Sequence, residues 1–266
     1  MKIVKNILKI FAFGIFVLFV GFFSWASDKH VVPIMMYHHV DNKNHHELNT
    51  VSPENFEKQM AYLKRHGFHV IRFDELVSAT AHHTKLPPKS VVITFDDGYL
   101  DNYLYAYPVL EKYQFPATIF VPSDLMNTTE GFLTWDQIKV MMNSGLVSIG
   151  SHTRTHVYLP DYPDFKKVED EVVTSKRIIE EKIGKKVEYF CYPSGGFTYE
   201  IKDLLRRAGY KGACTTNRGR DRYNKDVFEL KRVRFNNKDY GFSMWMKLSG
   251  YNNLFRKSRT PYSRGN

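Results

Sequence analysis

The chain has 266 residues, of which 43% are hydrophobic and 25% charged, proportions ordinary for a globular protein with room for one large α/β domain or two small ones. Its net charge is +10, but the Lys and Arg are dispersed and no nucleic-acid motif accompanies them, which sets nucleic acid aside in favour of anionic lipid or an anionic wall polymer. The two cysteines, Cys191 and Cys214, lack a zinc-site spacing and read as buried thiols on neighbouring strands, or as one disulfide if the chain is exported.

At the N-terminus Lys2, Lys5 and Lys9 precede an apolar run over 10–23, followed by Ser24-Trp25-Ala26. That layout predicts a signal peptide or retained membrane anchor over 1–26, with the rest of the chain outside the cytoplasm. The domain prediction continues with a catalytic domain over 27–250 and a basic tail over 251–266 containing Arg256, Lys257, Arg259 and Arg264.

From Val32 the pattern alternates. A strand over 32–37 ends in Met36-Tyr37-His38-His39. Ser52-Pro53 opens a helix that Gly67 closes. A short strand at 70–71, a helix near 74–79 and a β-branched strand over 91–95 follow. Helices are expected over 99–113, from the cap Thr134 to Gly145, over 165–183, over 199–208 and near 240–248. The remaining strands fall at 118–121, 147–149, 187–191, 212–216 and 230–235. Repeated βα units over about 230 residues predict a parallel sheet closed as an irregular (β/α) barrel of about seven strands. A doubly wound open sheet is the alternative.

Chemistry-bearing residues recur where strands end. Thr94-Phe95-Asp96-Asp97-Gly98 puts two carboxylates at a turn, where one can bind metal and one act as base; the plain alternative is a helix N-cap at Asp97. Ser151-His152-Thr153-Arg154-Thr155-His156 spaces two imidazoles by four, one face of a helical turn, suited to one metal ion. Two histidines and one carboxylate leave a position for water, the layout of a catalytic zinc site. Tyr192-Pro193-Ser194-Gly195-Gly196 could turn backbone N–H groups toward a substrate oxygen.

Together the Thr-Phe-Asp-Asp-Gly and Ser-His-Thr-x-Thr-His runs make the chain resemble the polysaccharide deacetylase family, carbohydrate esterase family four with its NodB homology domain, over about residues 31–240. The resemblance implies a metal-dependent hydrolase, with a divalent metal, usually zinc, held by Asp97, His152 and His156, and with Asp96 as general base. It implies release of acetate from an amino-sugar polysaccharide such as poly-N-acetylglucosamine, peptidoglycan or a chitin-like polymer. The Leu133-Thr134-Trp135-Asp136 stretch is also typical of members. Tyr192, Pro193, Trp135 and Arg232 are the candidates for contact with substrate or oxyanion. Two departures stand out. Cys191 holds the place of a family Arg that orients the base, leaving nothing there to orient Asp96. The place of a C-terminal Leu-x-His reads Leu230-Lys231-Arg232. The branch containing poly-N-acetylglucosamine deacetylases instead begins with Met-Tyr-His, which makes His38 the expected general acid, its pKa raised by a nearby carboxylate, and His39, on the opposite face, the weaker candidate. An O-acetyl esterase acting on xylan-type glycan and a catalytically silent glycan-binding homologue are the competing functions.

Overall fold

A computed structural model describes residues 2–27, 30–42, 48–128, 130–216, 224–252 and 262. The basic tail residues Arg256, Lys257, Arg259 and Arg264 lie outside the described residues. Eleven strands occur among those described: β1 Ile34–Tyr37, β2 His39–Val40, β3 Thr50–Val51, β4 His69–Val70, β5 Ser90–Phe95, β6 Ala117–Val121, β7 Val147–Ser151, β8 Tyr189–Cys191, β9 Gly212–Thr215, β10 Leu230–Lys231 and β11 Val233–Arg234.

All pairings within the main sheet are parallel, in the order β10-β9-β8-β7-β6-β5-β1-β11, with β4 added on the first half of β5. Because β10 and β11 are separated only by Arg232, one extended segment pairs first with β9 and then with β1. That segment closes the sheet into a seven-strand barrel and leaves no open edge along the ring. The expectation of an irregular barrel of about seven strands is met, and the open sheet is not. Closure explains the strand sequences. Every residue of β1 and β5 is buried, because one face fills the barrel and the other lies under helices, so these strands read as continuous apolar runs rather than alternating ones.

The helices begin where their caps dictate. Ser52 Oγ accepts the Asn55 amide at 3.3 Å ahead of helix Pro53–Arg65. Thr134 and Gln137 form a reciprocal capping box on helix Trp135–Asn143. The helix expected over 165–183 does run there, but a π-type turn over Asp170–Thr174 interrupts it. A similar turn over Asn102–Ala106 opens the helix expected at 99–113; sequence period does not signal such turns. The N-terminal helix Lys2–Ser27 exposes its side chains over 9–22. Among the described residues, no helix is long and apolar enough to cross a membrane. Cys191 and Cys214 are free, buried and register partners on β8 and β9.

Candidate metal and catalytic centre

The site forms at the C-terminal ends of the strands, the end where barrel loops can converge without disturbing the core. Asp96 and Asp97 follow β5. Asp97 takes a left-handed backbone conformation (φ 69°), so the chain turns between the two carboxylates and both enter one site rather than opposite faces. Gly98 continues the turn at φ 65°, and a Cβ there would lie 2.9 Å from Val121 Cγ1, a position that only glycine fills without displacement.

His152 follows β7. The run 152–156 is not the helical turn expected from the spacing of four. Thr153 and His156 also have positive φ, 67° and 60°, and it is this irregular turn that brings the imidazoles together. The loop is held from behind. The Glu171 carboxylate accepts the amides of Arg154 and Thr155 at 2.8 and 3.0 Å and the Thr155 hydroxyl at 2.7 Å. Ser175 Oγ donates to Thr153 O at 2.8 Å. Such supports sustain three strained residues in one site.

His152 Nδ1 lies 2.7 Å from the carbonyl of Cys191. A carbonyl only accepts, so Nδ1 carries the proton and Nε2 presents a lone pair. That Nε2 lies 3.4 Å from Asp97 Oδ1, and His156 Nε2 lies 3.1 Å from the same oxygen. Yet Asp97 Oδ1 is buried and accepts no hydrogen bond among the described residues. Ligands at 2.0–2.1 Å from a tetrahedral zinc are separated by about 3.3 Å. One orphaned carboxylate oxygen facing two imidazole nitrogens at this separation therefore fits a divalent cation. His156 is 38% exposed while His152 is 2% exposed, so the cluster is open on one side. Burial raises the Asp97 pKa, but the two imidazoles outweigh it and hold the carboxyl well below its usual range. Burial lowers the His156 pKa, but Asp97 outweighs it, for a net upward shift.

Asp96 is fully buried, and Arg232 from the β10–β11 junction grips it. Nη1 donates to Oδ1 and Nη2 to Oδ2, both at 2.6 Å. Arg232 also donates to Thr215 O at 3.2 Å, to Thr94 Oγ1 at 3.2 Å and toward Cys191 Sγ at 3.0 Å. Burial raises the Asp96 pKa, and Arg232 more than offsets it, keeping the carboxylate ionised. This corrects two expectations. Asp96 is not left unoriented, because an Arg reaches it from a different strand than the one that lost it. Nor does Arg232 face substrate, since it is 1% exposed and its donors serve buried partners. Cys191, in the family's Arg position, packs against both, with Sγ 3.7 Å from Asp96 Oδ1.

His38, just after β1, places its Nε2 3.9 Å from Asp96 Oδ2, at the same rim as the histidine pair. Burial lowers its pKa, and Asp96 and Asp97 do not fully restore it. The expected upward shift is therefore replaced by a downward one. Its Nδ1 is buried and lacks a hydrogen-bond partner among the described residues. His39 points elsewhere. Its Nδ1 lies 2.6 Å from Asp101 Oδ2, and its ring stacks on Tyr99 at 3.6 Å between centroids.

The proposed oxyanion turn after β8 is folded inward. The Tyr192 amide donates to Cys214 O at 3.1 Å, Gly195 to Tyr192 O at 2.8 Å and Gly196 to Pro193 O at 3.4 Å. The Tyr192 hydroxyl bonds Phe228 O at 3.1 Å, and its ring is buried. Tyr192 therefore supplies neither ring nor amide to a ligand, because both complete the barrel wall. Pro193 is buried beside it, while Trp135 is half-buried against the core at the start of its helix.

Known proteins give independent support. The sequence profile of a family described as polysaccharide deacetylase matches residues 83–213. A Bacillus subtilis protein named as a polysaccharide deacetylase, YxkH, is 32% identical over 203 residues, 76% of this chain and 71% of its own length. The poly-beta-1,6-N-acetyl-D-glucosamine N-deacetylase of Staphylococcus aureus strain MRSA252 is 28% identical over 176 residues, 61% of this chain and 59% of that protein. Among solved structures, the Streptococcus pyogenes deacetylase PplD in complex with acetate matches with a TM-score of 0.74 at 28% identity, covering 82% of this chain and 97% of that one.

Proposed function

Because this chain belongs to the polysaccharide deacetylase family, we propose that it hydrolyses N-acetyl groups of a poly-N-acetylglucosamine-type polymer outside the cytoplasm, with Asp97, His152 and His156 holding a divalent cation, zinc. The observation that carries the metal is the orphaned Asp97 oxygen facing two imidazole nitrogens beside an ionised, Arg-gripped Asp96. The polymer is inferred from the S. aureus relative's named substrate, and the location from the Lys-flanked apolar N-terminal run.

When bound, the cation supplies a Lewis acid that acidifies water and polarises the acyl oxygen. Asp96 accepts a proton from the attacking water, and Arg232 fixes both of its oxygens so that it meets the water in one orientation. Burial leaves His38 largely neutral at neutral pH, so it must collect a proton before it donates one. Asp96 is the nearest acid, its Oδ2 3.9 Å from His38 Nε2, a gap that one water bridges. The water proton thus passes from Asp96 to His38 Nε2 and on to the leaving nitrogen as the amide C–N bond breaks. Transfer from a carboxylic acid to an imidazole is downhill, and the proton count balances: amide plus water gives acetic acid and an amine, and the acid's proton ends on the amine, leaving acetate and an ammonium group.

Acetate release should be measured on poly-β-1,6-N-acetylglucosamine, chitin oligomers, peptidoglycan and acetylated xylan, before and after chelation. Cation-dependent release from the glucosamine polymer is expected. Release from acetylated xylan alone would identify an O-acetyl esterase, and no release with cation bound would identify a silent homologue.

A further inference from the structure

At the opposite end of the barrel, a cavity of about 540 Å³ is lined by His30, Tyr62, Phe68, Lys89, Trp245 and Tyr251 among others. Beside it the short helix Phe242–Leu248 buries Met244 and Leu248 and turns its other apolar side chains to solvent. Tyr240 is 76% exposed, Phe242 72% and Trp245 54%, with Met246 also exposed. Phe242, Trp245 and Met246 stand at i, i+3 and i+4, one face of the helix. A contiguous exposed apolar face on a soluble domain marks an interaction surface.

Three observations say what covers it. First, the apolar helix Lys2–Ser27 joins the domain at this place. Only residues 28 and 29 separate it from His30, a reach of at most about 11 Å, and His30 packs edge-on against Tyr251 at 5.6 Å while the next amide, that of Val31, donates to Gly250 O at 2.9 Å. Second, the surroundings are basic. Lys64, Arg65 and Lys238 are exposed, and Lys89 lines the cavity. Third, the chemistry suits lipid better than sugar. Phe242 stacks on Trp245 at 5.5 Å and 24°, so these ring faces are turned on each other, and Phe242 and Met246 offer no hydrogen bond to a hydroxyl. A Trp and Tyr amid basic residues is the composition of a membrane-interface contact.

We infer that this face, centred on Tyr240, Phe242, Trp245 and Met246, seats on the surface of an anionic phospholipid bilayer. The cavity lines the start of β5 and Asp96 follows its end, so the catalytic rim stands roughly 20 Å farther out, facing away from the membrane toward polymer. This contact is additional to the N-terminal helix and independent of the hydrolytic reading.

The test uses full-length chain reconstituted into phosphatidylcholine vesicles with and without one quarter phosphatidylglycerol, in a W25F/W135F background that leaves Trp245 as the single tryptophan; folding is checked by circular dichroism. Lipids brominated along the acyl chains should quench Trp245 several-fold more strongly in the anionic vesicles. Adding Y240S and F242S should at least halve that quenching while the circular dichroism spectrum stays unchanged. Flotation without quenching, failure to float, or a Trp245 emission that responds to N-acetylglucosamine oligomers and not to lipid would each overturn the inference.

Discussion

Replacing Arg232 with Met separates orientation of the base from the base itself. Met keeps much of the side-chain volume but removes both 2.6 Å hydrogen bonds to Asp96. The opposing effects on Asp96 are then burial, which raises its pKa, and Arg232, which outweighs it. With the guanidinium gone, burial prevails. A buried carboxyl without its cationic partner is pushed upward, so a larger share of Asp96 carries a proton at neutral pH. Turnover there should fall by about tenfold or more and recover as the pH rises. Removal of the base itself by Asp96→Asn should instead cost about 10²–10⁴-fold at every pH. The Met variant also loses about 3–5 kcal/mol of stability if its carboxylate stays charged, and less once the group takes up a proton, so a thermal melt accompanies the assay. The measurement is kcat against pH for wild type, Arg232→Met and Arg232→Lys at matched cation content. A Met variant whose profile keeps the wild-type shape, merely lowered, would refute the argument that Arg232 acts by holding Asp96 ionised. Partial rescue by Lys is expected, because a single ammonium restores the charge but not the two-point grip.

His152→Ala and His156→Ala should each lose the cation in metal analysis of purified protein, whereas Asp96→Asn and His38→Ala should retain it. Metal loading should weaken as pH falls. The His156 pKa is raised above its ordinary 6.5 by Asp97, so its proton competes with the cation at and below that raised value, while above it the imidazole is free to bind; affinity titrations from pH 5 to 8 check this. His38→Ala should reduce amide deacetylation by about 10²-fold or more and hydrolysis of an activated acetyl ester far less; His39→Ala, whose ring is engaged with Asp101 and Tyr99, should do neither to that extent. Gly98→Ala should destabilise the fold by about 1–3 kcal/mol in denaturant melts, since φ is 65° and the added Cβ meets Val121 at 2.9 Å. A neutral melt would mean that the loop relaxes freely.

Local sequence was sufficient for most of the elements, for the parallel barrel and for which motifs end its strands. Strand runs, helix caps such as Ser52 and Thr134, and the carboxylate and histidine motifs all act within a few residues of chain, so their signals survive in one dimension. What needed the fold is whatever depends on residues distant in sequence. The Arg232–Asp96 pair spans 136 positions, and only barrel closure through the β10–β11 segment brings the guanidinium beneath the base. The single hint was that Arg232 stands where a family His is expected and Cys191 where a family Arg is expected, two departures that look like losses when read separately. The convergence of His152 and His156 rests on left-handed turns at Thr153 and His156, not on the helical period that their spacing suggests. The inward folding of the Tyr192 turn and the downward shift at His38 likewise come from partners and burial supplied by other strands. Sequence determines which groups a chain can present; the desolvation and the long-range pairing that set their protonation and direction exist only once the barrel has closed around them.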